Sequence, residues 1–225
     1  MLAMKTSRIH YLPILCVLFL SACLNYEQIT TIRTDNSGEM FIHYYTNLNA
    51  WQDTSVLSNF ELFNKGSLEQ KFSSQYSKVQ RIDVFKVMSD SSIHTQIEIS
   101  FQNFDSLKYT KIFRNAEFSI KDGPDETKIF SQFILPFVTG FGFELEDYTI
   151  NYTYYLPGNI ISHNANDQSK NKLVWNFTLE EIRKGKTITA TYRPFRLKET
   201  PTWIYFLAIC VIVVVIIFLF KKKRA

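Results

Sequence analysis

The stretch that decides the fold is residues 148–156, YTINYTYYL. Large apolar or aromatic side chains occupy every second position in it, and they are Ile150, Tyr152, Tyr154 and Leu156. Polar side chains and Tyr155 fill the positions between them. A period of two is typical of a β-strand that buries one face, because successive side chains of a strand point to opposite sides. The stretch therefore predicts a strand with a buried aromatic face.

The same alternation recurs along the chain. Three segments share it: residues 91–101 with Ile93, Ile97, Ile99 and Phe101 on one face, residues 172–178 with Leu173, Trp175 and Phe177, and residues 187–193 with Ile188, Ala190 and Tyr192. Further strands are predicted over residues 26–34, 39–46, 79–88, 116–121 and 127–135. Turn-forming residues at 36–38 and 122–124 separate neighbouring strands.

Three short helices are predicted from capping residues. Asp53, Ser67 and Asp105 can each accept hydrogen bonds from the first turn of a helix, and Gly66 can end the first of the three. Helices grouped beside many strands predict an α+β fold, with a largely antiparallel β-sheet and a few short helices on one side.

The first 22 residues have the features of an export signal. Lys5 and Arg8 precede the apolar run Ile9–Ala22, and small residues precede Cys23. The run is shorter than the ~20 apolar residues that a spanning helix needs. We therefore expect residues 1–22 to be a signal peptide.

A second apolar run lies near the C-terminus. Trp203–Phe220 contains no charge and no proline, and it is followed by Lys221, Lys222, Lys223 and Arg224. Its length, its aromatic residues Trp203 and Tyr205 at one end and its cations at the other predict a transmembrane helix with membrane-interface residues at both ends. The alternative is a helix buried in a soluble core.

These segments divide the chain. We expect a signal peptide at 1–22, an extracytoplasmic domain at 23–193, a linker at 194–202, a transmembrane helix at 203–220 and a basic cytoplasmic tail at 221–225. Six of the 25 lysines and arginines lie at the termini, whereas all 21 acidic residues lie within residues 24–200, whose net charge is therefore near −2. A nucleic-acid partner is not expected, because it requires a basic patch on the folded part.

Residues 20–23, Leu-Ser-Ala-Cys, resemble the lipobox of bacterial lipoproteins. The resemblance implies that Cys23 carries a lipid and becomes the first residue of the mature protein, on the outer side of a bacterial inner membrane. The alternative is an ordinary signal peptide with an incidental cysteine. No cysteine lies between Cys23 and Cys210, which excludes a disulfide framework or a thiolate zinc site in the domain.

A longer resemblance covers roughly residues 150–220. Leu156-Pro157-Gly158, Asn164-Ala165, Val174-Trp175 and Ile188-Thr189-Ala190 follow one another as in the C-terminal half of LppM-type bacterial lipoprotein domains. Those proteins also pair a lipobox with a C-terminal membrane helix and a basic tail. The resemblance implies an α+β fold in the cell envelope that handles lipids or glycolipids, and it carries over no catalytic residue.

Residues 133–143 are rich in phenylalanine. Phe133, Phe137, Phe141 and Phe143 surround Pro136, Gly140 and Gly142. One interpretation is a segment that contacts lipid or lines an apolar ligand pocket. The other is a core-facing segment between strands, since large aromatic residues are mostly buried in ordinary cores.

The motifs of catalysis are missing from the sequence. His43, His94 and His163 have no second ligand at zinc spacing, and they are interpreted as satisfied surface histidines. Neither a nucleophile elbow nor a phosphate-binding glycine loop occurs. We therefore expect a protein without enzymatic activity, cofactor or metal.

Three hypotheses of function remain. The first is an envelope lipoprotein that binds a lipid or glycolipid, which a deep apolar cavity would favour. The second is a scaffold or assembly factor for a membrane protein, which a flat exposed apolar patch would favour. The third is a membrane-proximal hydrolase, which convergent titratable residues in a cleft would favour.

Overall fold

Strands dominate the part of the chain that the computed structural model describes, which is residues 24–47, 61–136, 149–195 and 202–222. The chain divides into two units, Met1–Pro194 and Phe195–Ala225. The described strands all lie in the first unit. They are β1 Leu24–Ile32, β2 Gly38–Asn47, β3 Ser77–Val87, β4 Ser92–Phe101, β5 Phe118–Asp122, β6 Lys128–Ile134, β7 Thr149–Tyr155, β8 Gly158–His163, β9 Asp167–Ser169, β10 Lys172–Thr178 and β11 Lys186–Pro194.

The strands form two sheets. The larger has the order β3-β4-β2-β1-β7-β10-β9, and the smaller has the order β5-β6-β11-β8. β1 and β7 pair in parallel, with Gln28 opposite Tyr152. The other strand pairs that the structure describes are antiparallel.

Helices are short in the first unit. They are α1 Lys65–Phe72 and α2 Leu179–Ile182, with 3-10 turns at Glu61–Phe63 and Phe104–Tyr109. α2 begins with a capping box between Thr178 and Glu181. The predicted cap at Ser67 is wrong, because the Asn64 side chain accepts the Ser67 backbone N–H at 3.0 Å and starts α1 earlier. Most of the helix predicted after Asp53 lies outside the described residues.

The predicted fold class needs correction. The domain is mostly β and is built from two sheets, whereas the sequence predicted one sheet covered by helices. The physical reason is that β5, β6, β11 and β8 form a second sheet, so the layer packed against the larger sheet consists mainly of strands. A period of two shows that a segment is a strand, but it does not show which strands share a sheet.

The second unit contains α3, Thr202–Lys222, whose side chains from Trp203 to Ile216 are exposed. None of the helices in the described residues combines the length and the apolar character that crossing a membrane requires. This finding overturns the predicted transmembrane helix at 203–220. The charge-free run of 18 residues lies at the short end of the ~17–25 that a spanning helix needs, so the sequence criterion was met with little margin.

The core lies between the two sheets. Trp175 of β10, Tyr154 of β7 and Phe130 of β6 are each fully buried. The ring centroids of Phe130 and Tyr154 are 4.7 Å apart, and those of Phe130 and Trp175 are 6.2 Å apart. The inward faces predicted from the alternation in β4, β7, β10 and β11 are confirmed, since every residue assigned to them is buried.

Candidate functional site

A cavity of about 310 Å³ lies between the two sheets. The larger sheet contributes Tyr26 and Gln28 of β1, Ile42 of β2, and Ile150 and Tyr152 of β7. The smaller sheet contributes Gln132 and Ile134 of β6, and the short helices contribute Phe72 and Ile182. No residue of this described lining is an acid, a lysine, an arginine or a histidine.

The lining residues differ in exposure, and this difference defines a floor and a rim. Gln28, Ile42, Gln132, Ile134 and Ile150 are buried and form the floor. The rim consists of half-buried or exposed lining residues, among them Leu62, Ile112, Phe113, Leu135 and Pro136. The cavity therefore has a buried floor and a partly exposed apolar rim.

A chain of polar side chains crosses the floor. The Tyr26 hydroxyl donates to Gln28 Oε1 at 2.9 Å. Gln28 Nε2 donates to Thr30 Oγ1 at 3.1 Å and to the Tyr154 hydroxyl at 2.8 Å. The Tyr154 hydroxyl in turn donates to Gln132 Oε1. The chain links β1, β7 and β6, so hydrogen bonds join the two sheets beside the cavity.

The tyrosines of this wall carry no charge. Burial raises the pKa of Tyr26, Tyr152 and Tyr154, since a phenolate would lose its hydration, and the neighbouring Tyr152 and Tyr154 raise the pKa of Tyr26 further. The wall therefore supplies hydrogen bonds without supplying charge. That combination suits the binding of an uncharged or apolar molecule, and it offers no nucleophile or general base.

The cavity takes in one of the four predicted lipid-contacting phenylalanines. Phe133 lies in β6, lines the cavity and is half-buried. The side chain of Phe133 lies so close to Gly185 that a Cβ atom there would be 2.5 Å from the end of its ring. Phe137, Phe141 and Phe143 lie outside the described residues, as does the predicted lipidation site Cys23.

The predicted membrane-interface residues belong to the second unit. Trp203 and Tyr205 are exposed at the start of α3, with 61% and 59% of their surfaces accessible. Lys221 and Lys222 are the last residues of α3, whereas Lys223 and Arg224 lie outside the described residues.

The buried polar residues Gln28, Thr30 and Gln132 were not predicted from the sequence. A signal was present, since Gln132 stands at the inward position of β6 between Phe130 and Ile134. Gln28 and Thr30 likewise stand on the inward side of β1, two and four residues after Tyr26. Polar residues at inward positions of a predicted strand require buried hydrogen-bond partners, so they indicate a polar network in the core.

The histidines that the structure describes do not line the cavity. His43 of β2 and His94 of β4 face the opposite side of the larger sheet, with His43 Nε2 and His94 Nδ1 3.0 Å apart. Ser92 Oγ is 2.6 Å from His94 Nε2 and donates to Asp90 at 2.6 Å. The rings of Tyr45 and Phe85 stack on His94. Within the described residues, no group of three or more histidine, cysteine, aspartate or glutamate side chains could hold a metal ion.

Comparisons with known proteins find similarity to solved structures but not to known sequences. No known protein family and no curated protein sequence matches the chain. Among solved structures, the chain is similar to the NMR structure of the folded domain of LppM from Mycobacterium tuberculosis, at 15% sequence identity. The similarity covers 78% of this chain and 92% of the LppM domain, with a TM-score of 0.48.

Proposed function

We propose that this domain is a non-enzymatic binding protein of the bacterial cell envelope that takes the hydrocarbon part of a lipid or glycolipid into the cavity between its sheets. The observation that carries the proposal is the cavity of about 310 Å³ with an uncharged lining. Ligand pockets typically measure ~300–1,000 Å³, so this one suits a single chain better than a bulky ligand. A hydrocarbon chain bound against the apolar lining removes both surfaces from water, which favours binding.

The position of β1 supports the proposal. β1 begins at Leu24, directly after the predicted lipidation site Cys23, and Tyr26 of the same strand lines the cavity. Three extended residues span at most about 11 Å. A lipid on Cys23 would therefore hold the cavity wall close to the membrane that supplies the ligand.

Within the first unit, the scaffold and hydrolase hypotheses gain no comparable support. In the described part of the chain, the cavity lining has no acid, base or nucleophile that could serve a hydrolase. The strongly exposed apolar residues of the described strands and loops, such as Met88 and Ile161, lie on separate elements. Isolated exposed apolar residues are ordinary on a protein surface.

A cavity-filling substitution tests the proposal. Ala116 is buried and lines the cavity, so Ala116→Phe should occupy part of the space without removing a hydrogen bond. Binding of a fluorescent fatty-chain probe to the full-length chain should weaken about tenfold or more, which corresponds to ~1.4 kcal/mol.

The matched control is Ser119→Phe in β5, because Ser119 is half-buried and does not line the cavity. This variant should bind the probe as the original chain does. The proposal fails if the original chain binds no fatty-chain probe, or if Ala116→Phe folds and binds the probe with unchanged affinity.

A further inference from the structure

One atom on the floor of the cavity has an unused hydrogen-bonding capacity. Gln132 is 3% exposed, lines the cavity and accepts the Tyr154 hydroxyl proton at Oε1. Among the described residues, its Nε2 atom has no hydrogen-bond acceptor. In the same part of the chain, the one side-chain polar atom that is both sealed from solvent and unpaired is Thr95 Oγ1. Gln132 Nε2 is therefore not sealed from solvent, and it belongs to a residue that lines the cavity.

The hydrogen-bond chain fixes which end of the Gln132 amide faces the cavity. Gln28 Nε2 uses both of its protons, one on Thr30 and one on Tyr154. The Tyr154 oxygen thus accepts from Gln28, and its own proton goes to Gln132 Oε1. The amide oxygen of Gln132 is consequently occupied, and its N–H group is left for a ligand.

The row of hydrogen bonds from Tyr26 to Gln132 also strengthens Gln132 Nε2 as a hydrogen-bond donor. The hydroxyl and amide groups from Tyr26 through Gln28 and Tyr154 each donate in the same direction, toward Gln132. Hydrogen bonds in such a row polarise one another, by ~10–30% per bond. A buried donor without an acceptor is costly, whereas an acceptor placed against it is favourable.

We propose that the Gln132 amide is a recognition subsite for a neutral carbonyl oxygen on the bound lipid, the carbonyl of an ester or amide that joins an acyl chain to its head group. This inference rests on the proposed function and names the chemical class of the ligand. The ligand is neutral at this point because the described lining carries no lysine, arginine or histidine. A carboxylate buried there would lack a countercharge, which is far more costly than burying an ester.

Three probes of equal chain length separate the alternatives. Methyl palmitate offers a neutral carbonyl, palmitate offers a carboxylate, and hexadecane offers neither. At pH 8 the full-length chain should bind methyl palmitate about tenfold more tightly than the other two, as one additional buried hydrogen bond allows.

Gln132→Met keeps a similar side-chain length and should remove the preference for the ester while leaving hexadecane binding unchanged. Gln80→Met is the matched control, because Gln80 is exposed on β3 and donates to Ser100 at 2.6 Å.

A measurement on the unsubstituted chain keeps the test valid if Gln132→Met does not fold. The carbonyl of bound, isotopically labelled methyl palmitate should absorb at a lower infrared frequency than in hexane, because it accepts a hydrogen bond. Equal affinity for the three probes without a frequency shift would overturn the subsite and leave the proposed function standing. A preference for palmitate would also overturn the carbonyl subsite at Gln132. Failure to bind any of the three probes would overturn the proposed function itself.

Discussion

At the scale of single residues, Gln28 is the branch point of the polar wall. It is fully buried, and its amide makes three hydrogen bonds, to Tyr26, Thr30 and Tyr154. A buried glutamine with every amide proton in use adds little net stability by its presence. Its removal has a larger effect, because it leaves several buried partners unpaired.

Gln28→Leu should therefore destabilise the domain by about 2–4 kcal/mol, since each unpaired buried group costs ~1–3 kcal/mol and the three groups can partly rearrange. Urea unfolding followed by fluorescence measures the change. Gln80→Leu is the control, and as an exposed substitution it should change the free energy of unfolding by no more than ~0.5 kcal/mol. Equal effects of the two substitutions would show that the Gln28 hydrogen bonds are unimportant to stability.

The free energy of unfolding should depend on pH because of His43. Partial burial lowers its pKa below the ordinary value of 6.5, and the positive charge of a protonated His94 lowers it further, while Glu27 opposes both effects. A lowered pKa means that the unfolded chain binds a proton more readily than the folded domain does. The contribution of His43 is therefore fully present above pH 6.5 and is lost progressively as the pH falls below that value.

The melting temperature should accordingly fall between pH 7 and pH 5, and His43→Gln should reduce that fall. Asp35 and Asp90 have a pKa lowered mainly by their hydrogen bonds to Ser37 and Ser92, so their contributions are lost only below about their ordinary value of 3.8. His163→Gln is the control, since His163 is exposed on β8 away from this cluster. A pH dependence that His43→Gln leaves intact would assign the effect to other groups.

At the scale of elements, the turn after α2 positions a wall of the cavity. α2 ends at Ile182, which lines the cavity, and the Gly185 backbone N–H donates to the Ile182 carbonyl at 2.7 Å. Gly185 has a φ of +77°, in the left-handed region that side chains disfavour. Its missing side chain also makes room for the ring of Phe133 on the neighbouring strand.

Gly185→Ala should destabilise the domain by at least ~1–2 kcal/mol for the left-handed backbone alone, with a further cost because Phe133 must move. Gly66→Ala is a control of opposite sign. Gly66 lies in α1, where an added Cβ meets its nearest neighbour, Asn64 Oδ1, at an ordinary 3.5 Å, so alanine should stabilise the helix by ~0.5–1 kcal/mol. Thermal unfolding of the two variants measures both changes, and a Gly185→Ala variant as stable as the original chain would contradict the argument.

The elements also show what the sequence could and could not predict. Alternation identified β4, β7, β10 and β11 and their buried faces, because that pattern is local to each strand. It could not reveal the parallel pairing of β1 with β7, whose paired residues Gln28 and Tyr152 stand far apart in the sequence. β8 and β9 were missed, since nearly all of their residues are exposed or half-buried and carry no apolar period.

At the scale of the whole molecule, the candidate site arises from the packing of the two sheets. Its floor combines β1, β2 and β7 of one sheet with β6 of the other. The Gln28–Tyr154 hydrogen bond joins residues 126 positions apart, so no short motif could have announced it. The sequence predicts a role for Phe133 from its aromatic neighbours. The residues that give the cavity its chemistry can be recognised only once the strands are assigned to sheets.

Because both sheets form the cavity, a ligand in it should stabilise the domain as a unit. A ligand that binds only the folded state, at a concentration 100 times its Kd, stabilises a protein by ~2.7 kcal/mol. For a domain of this size, that corresponds to a rise in melting temperature of roughly 5–10 °C. Saturating methyl palmitate should produce this rise in the original chain, and the tenfold weaker binding of Ala116→Phe should roughly halve it at the same ligand concentration. Hydrogen exchange should slow in β1 and in β6 together, because the ligand contacts both. Slower exchange in one sheet alone, or an undiminished rise in Ala116→Phe, would place the ligand outside the cavity between the sheets.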